Sequence, residues 1–363
     1  MAILVTPEDD IQQIINAARN TTAESNSHSN NNDLPTWLDA SAIAEGQKFV
    51  RRNFFLIFFV HFISLILLLS YLPVRLVLLK TNRSHTTDLA LKRYLSTLRH
   101  VKFWYEGDLT STNGDAVRDV RKVCKIHSGV CQRLSKDIAV MKYKNILCES
   151  ERTQELQMVK CFDMDNNTMV QVKEEIDTSP HVISQLDMIV TQYCFMGILT
   201  TFPQKFGITS KMDKEGLHGF IHIWAVIGHL LGIEDRFNLC IGEKTQLKEC
   251  ILHDILLKDL FTAEKNTMML WNALVSAMST FVPCLSINAS LLYILDQTLD
   301  MKVESLRKNA TIHEQSCYKF MIFLFTTFFQ FSTVRSIFNN LLRLAICVAS
   351  CKVGIWKVII NVS

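Results

Sequence analysis

From Asn53 to Val74 the chain reads NFFLIFFVHFISLILLLSYLPV, with no formal charge between Arg52 and Arg75. Nothing else in the sequence narrows the fold as much. Such a run has to leave water as one element, and as a helix it can cross a bilayer core, which needs about 20 residues. Arg51 and Arg52 ahead of it would then hold the N-terminus on the cytoplasmic side. The same run also suits the wholly buried central helix of a large helical protein. His61, Ser64 and Ser70 fit either setting. Length alone puts a membrane anchor or membrane-embedded helix first.

The residues around this run point to helices. Gly (12) and Pro (6) are scarce, although they mark most turns of β-rich folds. An all-α chain follows, and 48% apolar residues give it a substantial core. The net charge of +3 and the absence of a basic run argue against a nucleic-acid partner. Eleven cysteines, with no CxxC pair among them, read as reduced thiols in a reducing compartment. Residues 1–36 are polar and include ESNSHSNNND, which predicts a disordered or loosely docked arm. Residues 37–80 form a lead-in to the apolar helix and contain it. Residues 81–363 then make up one large helical domain.

Within that domain, TDLALKRYLSTLRHVKFWY predicts a helix capped at Thr86 or Thr87. After the turn STNGD, a second helix carries the stripe Val117, Val120, Cys124, His127, Cys131 and Leu134. Steps of three and four place these six on one face, so His127 occupies a core position. Residues 138–180 show no convincing period. Helices resume at VISQLDMIVTQYCFMGILTTF, stopped by Pro203, and at EGLHGFIHIWAVIGHLLGI. Others are predicted near 244–260, 264–281 and 285–299. The last apolar block is interrupted by Arg335, Arg343 and Lys352, which favours a buried or interfacial helix pair over a transmembrane hairpin.

Two histidine sets are candidates for chemistry. His218, His222 and His229 lie near one helix face, and the first two have the spacing of a helical zinc pair. The protease version needs a glutamate directly after the first histidine, and Gly219 stands there, so metalloprotease chemistry is excluded. A non-haem metal shared with another helix and plain helix packing remain as readings, with Gly228 and Gly232 allowing close approach. GIEDRFN reads as a helix end at Gly232 with structural charges after it. The second candidate is His127. Arg93 and Thr97, four apart on the preceding helix with Ser96 beside them, would meet its imidazole if the two helices pack. A haem has matching needs: an axial nitrogen, a cation for a propionate or bound oxygen, and apolar walls.

At KRYLSTLRHVKFWYEGD, VRKVCKIH, SQLDMIVTQYCFMGILTTFPQKFGI and FIHIWAVIGHLLGIEDRFNLC, the chain resembles a known family. It is the catalytic-domain family shared by MpaB-type ER-bound oxygenases and the bacterial rubber oxygenases, or latex clearing proteins. The wording is nearest the arthropod branch, and the resemblance covers roughly residues 35–300. It implies an all-helical rubber-oxygenase-type domain holding haem b. It also implies a setting at a membrane of the endoplasmic reticulum, with dioxygen and a long apolar isoprenoid or lipid as reactants. In the family the axial histidine follows an R-x-x-x-T pair by thirty residues. The resemblance thus implies His127 as proximal iron ligand, Arg93 as the polar distal residue and Thr97 as its hydroxyl neighbour. Ser96 stands where the rubber-cleaving branch has an iron-capping lysine, and Val77 where it has a glutamate proposed as a base. Rubber cleavage is therefore not what these residues imply. A haem pocket with an open distal side is. The alternative is a non-enzymatic helical protein that binds haem or lipid or scaffolds a membrane complex.

Overall fold

The computed structural model describes residues 7–23, 34–135, 179–263, 265–279, 281–282 and 285–352. The described residues are helical, without a named strand; one isolated bridge joins Thr22 to Ser184. The segment 138–180, read as irregular, falls almost wholly outside them.

The helices are α1 (Pro7–Asn20), α2 (Ala40–Arg52), α3 (Phe54–Ser70), α4 (Leu72–Thr81), α5 (Thr87–Glu106), α6 (Asp115–Ser135), α7 (Gln185–Thr201) and α8 (Lys211–Leu231). They continue with α9 (Thr245–Cys250), a π-helical stretch Ile251–Leu257, and α10 (Lys258–Phe261). Next come α11 (Lys265–Met278) and α12 (Ile287–Leu292), the latter running into a second π stretch, Tyr293–Thr298. The described residues end with α13 (Glu304–Asn309), α14 (Ile312–Thr326) and α15 (Ser332–Lys352). Several starts are set by local chemistry. Thr86 caps α5 by accepting from the Leu89 amide, and Ser184 with Asp187 and Thr311 with Glu314 form reciprocal capping boxes on α7 and α14.

The apolar run is the centre of the core. Every residue of α3 is buried except Phe62 and Leu65, which are half-buried. It packs on α7 and α11, and Trp271 donates its indole N–H to the Ile66 carbonyl at 2.9 Å. This corrects the expectation of a membrane-embedded N-terminal helix: other helices, not lipid, cover α3. The run also starts with a corner. α2 and α3 meet at Asn53 with a bend of 87°, so a single straight span is not formed. Residues 37–80 contribute to the same core as the rest. The N-terminal arm is ordered in part, since α1 docks on α7 and buries Ile15 and Ala18.

α2 and α8 make the most intimate crossing. A Cβ built on Gly219 would lie 2.3 Å from the Gly46 nitrogen and 2.5 Å from the Ala42 oxygen. The two backbones touch because neither residue has a side chain. This contact holds α8 and its histidines over the N-terminus of α2.

Candidate functional site

α5 and α6 form a packed helical hairpin. One carboxylate clasps it: Asp119 Oδ2 meets His100 Nδ1 at 2.7 Å and accepts the Trp104 indole N–H at 2.8 Å. This pairing fixes the rotation of α6 about its axis, so its predicted stripe faces inward. Val117, Val120 and Cys131 are buried, and Cys124, His127 and Leu134 are half-buried.

His127 is half-buried as a residue, but its Nδ1 is fully enclosed and has no hydrogen-bond partner. Burial first, and the nearby Arg93 charge second, press its pKa down from 6.5 to about 4. The imidazole is therefore neutral at physiological pH, with one ring nitrogen offering a lone pair. Arg93 is itself brought below its ordinary value by burial, and Arg83 adds like-charge repulsion. Its guanidinium reaches Thr81 Oγ1 at 3.5 Å, and no carboxylate pairs with it among the described residues. Thr97 lies on the same helix but is exposed, and its hydroxyl donates to the Arg93 carbonyl at 3.2 Å. Ser96 is half-buried beside it. The fold thus brings Arg93 and His127 together and leaves the Thr97 hydroxyl turned to its own backbone.

His127 and Arg93 are of the residue types a haem needs, an imidazole and a cation, while a cavity between α3, α14 and α15 lies elsewhere. His127 Nδ1, enclosed and without a hydrogen-bond partner, stands near a guanidinium that no carboxylate pairs among the described residues, a donor and a cation of the kind an axial bond and a propionate would use. The residues present do not fit a metal held by several side chains: among the described residues no group of three His, Cys, Asp or Glu converges. Two of the three α8 histidines are spent on structure. His222 Nε2 accepts the Asp39 amide N–H at 2.9 Å, and His229 Nδ1 meets Asp235 Oδ1 at 2.9 Å. Trp37 sits edge-on to both rings and donates to Asp235 Oδ2 at 2.8 Å. His218 is exposed. Gly232 ends α8 in the left-handed conformation at φ 107°, as its position predicted.

With this geometry in place, one solved structure is comparable across nearly the whole chain. Latex clearing protein in its closed state matches with a TM-score of 0.57 at 15% sequence identity, over 93% of this chain and 86% of that one. The fold is that of latex clearing protein. No protein-family profile matches the sequence, and no curated protein does either. The likeness to latex clearing protein is therefore one of architecture, reached with few shared residues.

Inside this latex-clearing-protein fold lies a buried polar chain that sequence reasoning did not single out. Trp224 donates its indole N–H to the Tyr105 hydroxyl at 2.9 Å, and that hydroxyl is 2.9 Å from His61 Nε2. Phe195 stacks on Trp224 with ring centroids 4.8 Å apart, and Phe58 stands edge-on to His61. The His61 Nδ1 has no partner, and burial brings its pKa to about 3. The available signal was a histidine inside an otherwise apolar run.

His61 and His127 give the protein an acid limb. Both have folded pKa values below the 6.5 of a free imidazole, so below about pH 6.5 the unfolded chain binds protons that the folded chain refuses. Their contribution is complete above that pH and declines as pH falls toward 4 and 3, at up to ~1.4 kcal/mol per pH unit for each histidine. Urea unfolding at about pH 7 and about pH 4.5 is expected to show a smaller acid loss in His61→Phe than in the parent. Equal losses would mean that His61 is not held neutral.

Proposed function

We propose that this chain is a haem b-dependent oxidoreductase of the oxygenase type that acts on a long apolar substrate, an isoprenoid or a lipid. The observation that carries the reading is the enclosed His127 Nδ1, which has no hydrogen-bond partner, near an Arg93 that no carboxylate pairs among the described residues. The latex-clearing-protein architecture and the R-x-x-x-T spacing to the histidine support it. His127 would hold the iron, Arg93 would take a propionate or orient a polar reactant, and the Thr97 hydroxyl would have to leave the Arg93 carbonyl to take part. Bound haem would supply the redox chemistry with dioxygen. The chain's own part is to keep His127 unprotonated and to place a cation near it. A neutral imidazole needs no deprotonation before it binds iron, so haem affinity should hold from neutral pH down to roughly the His127 value of about 4.

The purified chain supplied with haem is expected to show a strong Soret band, and His127→Ala should abolish it while far-UV circular dichroism stays unchanged. A band that survives His127→Ala would assign the ligand elsewhere, and colourless protein after haem addition would end the reading. A second reading, a haem- or lipid-binding protein without turnover, is favoured by the Thr97 hydroxyl bonded to its own helix and by Ser96 and Val77 at the two branch-specific positions. Oxygen uptake by the haem-loaded chain in the presence of a long alkene separates the two.

A further inference from the structure

Among the described residues, two stretches are apolar enough over sufficient length to suit a bilayer, the α2–α3 pair and α15, and they differ in how far protein covers them. α3 is enclosed by the core, whereas the Ser332–Cys351 part of α15 is long and apolar enough to cross a bilayer, yet only 28% of it is buried. Ile337, Leu341, Leu344 and Val348 recur on α15 at steps of four, three and four, which makes one outward stripe. Phe320 and Phe323 extend the stripe on α14, and Phe331 joins it from the turn between the helices. Each of these seven side chains is at least 44% exposed. A water-facing surface of this size and aromatic content marks a docking site.

The exposed charge described on this face is basic. Between Glu314 and Lys352 the sequence holds no Asp or Glu, and since the two arginines there pair with Asp213 and Glu106, Lys319 is the exposed cation on this face among the described side chains. Lys319 is exposed directly beside Phe320, where its stem can lie along apolar surface and its ammonium can reach a headgroup. The two arginines pin α15 to the body. Arg335 lies 3.6 Å from Asp213, and Arg343 pairs with Glu106 and covers the Phe54 ring. A helix held along its length by such bonds lies flat on the protein, so it meets a bilayer in the plane of the surface rather than by spanning it.

The same face leads inward. A cavity of about 240 Å³ lies between α3, α14 and α15, walled by Phe55, Phe59, Phe325 and Phe338, with Phe320 and Leu341 at its edge. No charged side chain lines it. A dry cavity of ~150 Å³ is large enough for benzene, so this one suits a stretch of hydrocarbon chain and is too small for a haem. Phe320 and Leu341 belong to the exposed stripe as well, which makes the two apolar regions continuous.

We propose that the α14–α15 face is a monotopic membrane-docking surface for anionic bilayers, and that the adjoining cavity receives a hydrocarbon chain of a lipid from that bilayer. The inference needs neither haem nor His127, so its failure and that of the oxygenase reading are separable. The test is flotation of the full chain with vesicles of phosphatidylcholine alone and of phosphatidylcholine with phosphatidylserine. Binding is expected on the anionic vesicles. Ile337→Glu with Leu344→Glu should lower it by at least about tenfold with unchanged circular dichroism and melting, and Lys319→Gln by about fivefold. Binding that is indifferent to these substitutions overturns the docking surface. So does a lipid-free dimer that the double variant dissociates while the parent ignores vesicles, because a second copy would then cover the face. A phosphatidylcholine with a photoactivatable acyl chain, mixed into the anionic vesicles, is expected to label Phe55, Phe59 or Phe325. Labelling confined to the exposed stripe would remove the cavity from the proposal.

Discussion

Gly219→Ala is expected to destabilise the protein by about 3 kcal/mol, although alanine is normally the better helix residue. The added methyl would sit 2.3 Å from the Gly46 nitrogen and 2.5 Å from the Ala42 oxygen, and both obstacles are backbone. Neither can rotate away, so α2 and α8 would have to separate. Separation would also loosen Phe49, which packs against Gly216 and lies 5.9 Å from Phe220 between ring centroids. Gly129 provides the control. It is also helical, in α6, and a methyl there would meet nothing within 4 Å among the described residues. Gly129→Ala should therefore stabilise by up to about 1 kcal/mol. Urea unfolding of both variants reads the opposite signs. Stabilisation by Gly219→Ala would show that the crossing is not close.

Asn339→Leu is expected to cost about 3 kcal/mol and to release α15. Asn339 is buried against the corner between α2 and α3, where the bend leaves backbone groups without helical partners. Its side-chain carbonyl accepts the Phe55 N–H at 2.8 Å, and its amide donates to the carbonyls of Arg52 at 2.9 Å and Arg51 at 3.2 Å. Leucine has the same branching but cannot hydrogen-bond, so it would leave these groups buried and unpaired. Arg335, which reaches Asn53 Oδ1 at 3.2 Å, would lose its register at the same time. Limited proteolysis should then cut within 332–352 faster than in the parent, alongside a lower unfolding midpoint. Unchanged proteolysis would mean that Asn339 does not hold the helix down.

Much of the local structure was legible in the residues. The cap at Thr86, the stop ahead of Pro203 and the left-handed end at Gly232 follow from groups within one helical turn. The inward stripe of α6 was equally readable, because periodicity reports which side of a helix avoids water. Burial of His127 came with it. Its proximity to Arg93 was readable only on the condition that the two helices pack, and how they rotate against each other is set here by Asp119.

Other features needed distant partners. The α8 histidines have metal-like spacing, but whether they converge on an ion depends on what else faces them. Trp37, Asp39 and Asp235 occupy that place. The chain from Trp224 through Tyr105 to His61 joins three helices, and no local pattern records it.

The sequence by itself determined an all-α chain, the main helices and their caps, and the face of α6 that carries His127. Only the tertiary structure decided that the run at 53–74 is enclosed by protein while α15 keeps an apolar side open. Hydropathy measures how strongly a segment leaves water, and a bilayer and a protein core satisfy that tendency equally. The difference lies in which surfaces pack against the segment, and those surfaces come from residues far away along the chain.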